Sequence, residues 1–308
     1  MKVVTLTLNP AIDKSAKIKG LKPENKLKCF DIQHQAGGGG INISRVLKRL
    51  GVENHCVFPS GGNTGQLLNE LLLKENIIVK SIKVDTWTRE NFSVFDTNSN
   101  LQYRFGMPGN DVSAEKIKEI EDYLSSNLED GDILILSGSL PENLPSNYYS
   151  KLIAQLKNKS IKIVLDTSGP ALKNSLEESV FLIKPNQLEL KQLANKESLT
   201  DKEMEEFATS LVKSGKSQYV VVSLGANGAL IVSKEGFQYQ KAPDVVVKST
   251  IGAGDSMVAG LIYAFINNES QKNIIKWGVS SGAAATMNEG SNLAQKENIE
   301  QLFNSLGK

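Results

Sequence analysis

The sequence predicts an α/β protein built on a mostly parallel central sheet that is covered on both faces. Two observations carry this. Short, continuously apolar runs rich in β-formers recur at 3–8, 132–136, 162–166, 180–184 and 219–224, and amphipathic helical stretches at 114–124, 146–156 and 201–214 fall between them. Strands that are apolar on both sides need cover on both sides, and intervening helices supply the crossovers that parallel strands require. A third observation concerns the segments 12–35 and 87–105, which alternate like half-buried strands and are rich in polar residues. They read either as a small antiparallel sheet standing off the main body, a lid or dimer clasp, or as a pair of surface hairpins.

The 308 residues suffice for one large α/β unit or two ordinary ones, and no low-complexity linker or solenoid repeat divides them. The formal net charge of +1 leaves no global field to recruit nucleic acid or an anionic membrane, so an anionic ligand needs a local site. The opening MKVVTLTLNPAIDK reaches polar residues too soon for a signal peptide, and no apolar run is long enough to span a membrane. Cys29, Cys56, His34 and His55 form neither a zinc spacing nor a disulfide framework. A reduced, cytoplasmic enzyme is expected.

Along the chain, Asp13 follows the first strand; its carboxylate suits bidentate bonding to sugar hydroxyls, although a loop aspartate is commonly a turn former. Gly37, Gly38, Gly39 and Gly40 then bare a stretch of backbone before Ile41-Asn42 and the amphipathic ISRVLKRLG, a helix closed by Gly51. A ligand can lie against such backbone and Asn42 offers both donor and acceptor, while a flexible loop is the plainer alternative. Near the C-terminus, Ser249-Thr250-Ile251-Gly252-Ala253-Gly254-Asp255-Ser256 runs into a helical pattern from about Ser256. Unpaired N–H groups at a helix start make an anion site, and Asp255 stands where it can accept a hydroxyl proton or merely cap the helix. Two phosphate motifs fail. The dinucleotide fingerprint has Met257 where its third glycine belongs, and Gly215-Lys216-Ser217 has Ser210 where a P-loop needs its first glycine.

Taken in order, LNPAID, GGGGIN, WTREN, QYRFGMPG, SGSLP, DTSG, KPNQLEL, VVSLGANGA and STIGAGDSMVAG resemble the ribokinase-like (PfkB) family of sugar kinases over nearly the whole chain. The resemblance implies a three-layer α/β/α domain over 1–308, with 12–35 and 87–105 forming a discontinuous β lid that serves as a homodimer clasp. It implies that Asp255 is the base, with the N–H groups of Gly252, Ala253 and Gly254 as the anion hole. Asp13, Gly38, Gly39, Asn42 and Ser139 match substrate positions, and Arg89 resembles the arginine that holds the substrate's phosphate. Lys26 matches a lysine contacting nucleotide or phosphate. Lys184, Asn186, Ser223, Gly225, Gly228 and Asn288 match the ATP side. Asn186 and Glu189 resemble the N-x-x-E motif that positions Mg2+ largely through water. The segment 285–292 (Ala285, Asn288, Gly290, Asn292), with Ser249 and Ile251, resembles a monovalent-cation (K+) loop in which Asn292 replaces a common arginine.

Position 39 is glycine where 1-phosphofructokinases and tagatose-6-phosphate kinases usually carry lysine. Together with WTREN and QYRFGMPG, this is similar to the minor, non-P-loop 6-phosphofructokinase branch. The implied reaction is phosphorylation of the 1-hydroxyl of fructose 6-phosphate by ATP. Fructose 1-phosphate or tagatose 6-phosphate as acceptor is the alternative. A non-catalytic sugar-phosphate-binding regulator would not need both the GAGD turn and the N-x-x-E spacing.

Overall fold

The computed structural model describes residues 1–290 and 292–306. The first half of the chain runs β1 (Val3–Leu6), β2 (Ala11–Ile18), β3 (Phe30–Gly37), α1 (Gly39–Arg49), β4 (His55–Ser60), α2 (Gly62–Lys74), β5 (Ile78–Lys83), β6 (Arg89–Asp96) and β7 (Leu101–Phe105). There follow α3 (Ala114–Asn127), β8 (Ile133–Ser137), α4 (Tyr148–Gln155), β9 (Lys162–Asp166), α5 (Gly169–Ser175), β10 (Val180–Ile183), α6 (Gln187–Leu193) and α7 (Asp201–Lys213). The chain ends with β11 (Ser217–Ser223), β12 (Ala229–Ser233), β13 (Gly236–Gln240), α8 (Ala253–Ile266), α9 (Gln271–Thr286) and α10 (Lys296–Ser305).

Among the described residues nine strands form the central sheet, in the order β13-β12-β11-β10-β9-β8-β1-β4-β5. From β11 to β5 every pairing is parallel; at the other end β12 runs antiparallel to β11 and β13 antiparallel to β12. The five strands expected from apolar runs are all present, within two residues at each end. The alternation along β8 shows why the sheet is a middle layer. Leu134 and Leu136 point into one core with Tyr149, Leu190 and Val222, whereas Ile133 and Ile135 point into the other with Val46, Leu261 and Ile275. Each such side chain contributes roughly 1.5–3 kcal/mol by burial. Helix α8 is apolar nearly all round, and accordingly it is sunk between α1 and α9.

The two irregular segments form one separate four-stranded sheet, β3-β2-β6-β7. The expectation of an antiparallel lid is corrected: β2 pairs with β3 and β6 with β7 antiparallel, but the central pair β2–β6 is parallel. The cause lies in the body. β2 follows β1 and β6 follows β5, and both parent strands leave the same edge of a parallel sheet in the same direction. Each lid strand then turns back through its own hairpin.

The helix starts also shift. Helix α1 begins at Gly39 with Gly38 as N-cap, so Asn42 belongs to its first turns rather than preceding it. Helix α8 begins at Ala253, three residues before the sequence pattern placed it. Glycines carry no apolar signal, which is why periodicity missed both starts. Among the described residues no helix is long and apolar enough to cross a membrane.

Candidate active site

The carboxyl ends of the parallel strands all face one edge, and the strand order sets which loops become neighbours there. Reading β1, β8, β9, β10, β11 across the sheet lines up Asn9, Ser139, Asp166, Lys184-Pro185-Asn186 and Ser223. The chain winds outward from β1 through β4 and β5 before returning at β8. The crevice between β1 and β8 is thus a switch point of the topology, the usual place for a ligand.

Helix α8 aims its N-terminus at this row. Its N-cap, Gly252, has φ 70°, a left-handed conformation that glycine adopts without Cβ strain, and Leu293 packs where a Cβ would stand. Among the described residues no side chain caps this end. Ala253 N–H makes only a long, 3.4 Å bond to the Thr250 carbonyl. The remaining N–H groups of the turn and the helix dipole create positive potential at this point. Asp255, in the first helical turn, is therefore no cap. Its Oδ2 instead accepts a 2.8 Å bond from Asn42 Nδ2 on α1.

The carboxyl of Asp255 stays partly open to the crevice, but dense protein encloses most of it. Desolvation, then the nearby Asp166 and the more distant Asp13, push it up to about 7, against the lowering pull of the Asn42 bond and Lys184. A carboxylate poised near neutrality beside an anion hole is suited to taking a proton from an attacking hydroxyl.

On the β1–β8 side, Asp13 stands on β2, with its Oδ1 accepting from Asn91 Nδ2 at 2.9 Å. Gly38, at φ 115°, lets the chain pass close over Thr7 and Pro10 and turn directly into α1. Asn42 is buried, and its Oδ1 has no protein partner among the described residues. Ser139 Oγ accepts from Asn9 Nδ2 at 2.9 Å. Arg89, on β6, spreads its guanidinium over three carbonyls: Met107 at 2.9 Å, Asn9 at 3.1 Å and Pro10 at 3.4 Å. Burial lowers its pKa while Asp13 offsets part of that effect. Three of its five donors are used, which leaves two for an anion. Asn9 thus bonds both Arg89 and Ser139, Gly39 lies against Ser137 and Gly138, and the charge of Asp13 acts on both Arg89 and Asp255.

On the β10–β11 side, Lys184 is buried and pairs with Asp166 Oδ1 at 3.2 Å. Burial works against its charge, but Asp166, Glu189 and Asp255 outweigh that and raise its pKa. Asn186 and Glu189 form a reciprocal capping box on α6: Glu189 N–H donates to Asn186 Oδ1 at 2.9 Å, and Asn186 N–H donates to Glu189 Oε2 at 2.8 Å. Desolvation raises the Glu189 pKa despite that backbone bond and Lys184. Beyond them opens a cleft of about 840 Å³ lined by Asn186, Ser223, Gly225, Gly228 and Gly254, with Ala242, Pro243, Val245 and Val247 on one wall.

Two expected members stand apart. Lys26 is exposed on the loop between β2 and β3. Asn288 donates its amide to the carbonyls of Ala284 and Leu293, and the cleft wall there is made by Val279, Gly282, Ala283 and Thr286 instead. The expected cation-loop segments do meet, since Ser249 N–H bonds the Thr286 carbonyl at 3.3 Å. The carbonyl of Asn292, however, already accepts from Arg49 Nη1 at 3.0 Å; Ser291, within the same segment, lies outside the described residues.

Sequence reasoning missed Asp166, which both pairs Lys184 and raises Asp255, although it opens the DTSG motif. It also missed Asn9 and Asn91, which sit inside LNPAID and WTREN. Their signal was position at the end of a β1-type strand and two residues from Arg89, both readable only once strand partners are known.

A helix end without a side-chain cap among the described residues and a raised aspartate thus stand beside a nucleotide-sized cleft, an arrangement suited to phosphoryl transfer. Comparison with known proteins agrees. The family model for pfkB family carbohydrate kinases matches residues 2–298, and the chain belongs to that family. It is 37% identical over 309 residues to the ATP-dependent 6-phosphofructokinase isozyme 2 of Escherichia coli (strain K12), covering 100% of both chains. It is 32% identical to a 1-phosphofructokinase of Borreliella burgdorferi, covering 98% of this chain and 96% of that one. Among solved structures, phosphofructokinase-2 from Escherichia coli in complex with substrates and products superposes with a TM-score of 0.96 at 36% identity over 100% of both chains. The same enzyme in complex with potassium gives 0.96 at 37% identity, over 100% of this chain and 99% of that one. The chain is accordingly a carbohydrate kinase of the pfkB family, an enzyme that transfers a phosphoryl group to an alcohol.

Proposed function

We propose that this kinase transfers the γ-phosphoryl group of ATP to the 1-hydroxyl of fructose 6-phosphate, giving fructose 1,6-bisphosphate and ADP. The reading is supported by Asp13, whose charge acts on both Asp255 and Arg89, an arrangement that suits a sugar with a reacting hydroxyl at one end and a phosphate at the other. Asp13, Asn42 and Ser139 would bind the hydroxyls between them. Asp255 takes the proton of the 1-hydroxyl as that oxygen attacks the γ-phosphorus, and the bond to the ADP oxygen breaks. The N–H groups of Gly252, Ala253 and Gly254 stabilise charge on the transferring group, and Lys184 lies close behind Gly254.

Asn186 and Glu189 fit a hydrated Mg2+: the capping box uses Glu189 Oε2 and leaves Oε1 for the water around an ion that dehydrates reluctantly. When bound, such an ion would neutralise phosphate charge. For potassium, the loops at 249–251 and 285–290 supply main-chain oxygens, but we leave Asn292 out of the ligand set because a guanidinium already occupies its carbonyl. Body and lid would act as one kinase unit. The lid presents Phe30, Ile32, Leu101 and Phe105 to solvent, which supports pairing of two lids in a homodimer. The cysteines are unpaired, Cys29 exposed and Cys56 buried, in keeping with a reduced, cytoplasmic setting.

The acceptor is tested by ADP release with fructose 6-phosphate, fructose 1-phosphate and tagatose 6-phosphate at equal concentration. The expected result is the highest kcat/KM with fructose 6-phosphate. A preference for either other sugar phosphate would replace that acceptor while leaving the kinase chemistry in place.

A further inference from the structure

We propose that Asn91 is a positioning residue for the acceptor sugar, holding the Asp13 carboxylate and the 106–109 segment in a single register. The inference rests on the sugar-phosphate kinase reading and adds to it the element that presets the sugar-binding carboxylate.

Asn91 on β6 is the strand partner of Asp13 on β2. Its Nδ2 donates to Asp13 Oδ1 at 2.9 Å, and its Oδ1 accepts from Met107 N–H at 3.3 Å. The second bond fixes the first. A main-chain N–H can pair only with the amide oxygen, so the NH2 group has to face Asp13. On the opposite side the Asp13 carboxylate lies against the bare backbone of Gly37, where an added Cβ would come within 2.6 Å of its Cγ. The carboxylate is thereby confined between an amide donor and a glycine. The Met107 residue that Asn91 grips also offers its carbonyl to Arg89 Nη1 at 2.9 Å. One neutral side chain thus ties together the carboxylate for the hydroxyls and the guanidinium for the phosphate.

The charge neutrality of Asn91 matters because Asp13 already lies in a field of mixed sign. Arg89 on β6 and Arg45 on α1 attract it, and Asp255 on α8 repels it. Asn91→Asp keeps an oxygen for Met107 N–H but turns a second carboxylate onto Asp13. Two adjacent carboxylates cannot both ionise freely, and a proton shared between them restores the missing donor at lower pH.

The test measures the Kd of fructose 6-phosphate without ATP, by calorimetry at pH 8 and pH 6, for wild type, Asn91→Asp and Asn91→Ser. Relative to wild type, Asn91→Asp is expected to bind about tenfold more weakly at pH 8, with the ratio shrinking toward about twofold at pH 6. Asn91→Ser, which removes the donor without adding charge, is expected to show a smaller penalty that does not change with pH. ATP affinity and turnover at saturating sugar should stay close to wild type in both. A residue that is merely structural would give losses independent of pH that extend to ATP. Normal sugar affinity in both folded variants, or a pH-independent penalty in Asn91→Asp, overturns the proposal. If Asn91→Asp does not fold, normal sugar affinity in Asn91→Ser overturns it alone. Should wild type prefer another sugar phosphate, the series is run with that acceptor, so failure of the acceptor assignment and failure of the Asn91 role give different results.

Discussion

Asp255 is raised by desolvation and by Asp166, and restrained by Asn42 and Lys184. The balance has a consequence for pH. As the proposed base, Asp255 would act only when ionised, so kcat/KM should fall as pH drops through about 7, approaching tenfold per pH unit below it, and level off above. A steady-state pH–rate profile checks this; a rate that holds constant down to pH 5 would mean an ordinary, low carboxylate or a different base. At this scale the sequence was informative about identity and silent about environment. Asp255, Asp13 and Asn42 could be singled out because glycines and turn positions frame them. Asp166 could not, since its influence on Asp255 arises between a strand, β9, and a helix, α8, that are far apart in the chain.

Among the elements, α6 is the one in which structural and chemical duties overlap. Its Asn186–Glu189 capping box means that the plain reading, a helix N-terminal acid, and the metal reading are both compatible with one geometry. Glu189→Gln separates them, because glutamine caps as well as glutamate but lacks the charge. Stability should change by less than about 1 kcal/mol, whereas the Mg2+ concentration for half-maximal rate should rise at least about tenfold. Thermal melts and a Mg2+ titration of turnover make the comparison, and an unchanged Mg2+ requirement would confine Glu189 to capping. The central elements were legible because apolar β-rich runs and amphipathic helices carry a periodic signal. The starts of α1 and α8 were not, since each follows a glycine at positive φ, Gly38 and Gly252, that is packed close to Thr7 and to Leu293. The strands β4, β5, β12 and β13 also escaped. β5 and β13 lie at sheet edges and are half exposed, and the runs of β4 and β12 are interrupted or flanked by polar residues.

Over the whole molecule, function depends on strand order, which no local pattern encodes. Placing β8 beside β1 sets Ser139 next to Asn9, and placing β10 beside β9 sets Lys184 on Asp166. The same parallel sheet sends β2 and β6 out side by side, so the small sheet carries Asp13, Asn91 and Arg89 together. Helix α8 then brings its N-terminus to the nucleotide-sized cleft, where Asp255 bonds α1 through Asn42. The central claim is that this carboxylate, held there, is the base of phosphoryl transfer. Its most direct test is Asp255→Asn, measured for ATP affinity by equilibrium binding and for turnover with the preferred sugar phosphate. ATP affinity should stay nearly unchanged while turnover falls by about 10²-fold or more. Near-normal turnover in the folded variant would contradict the assignment.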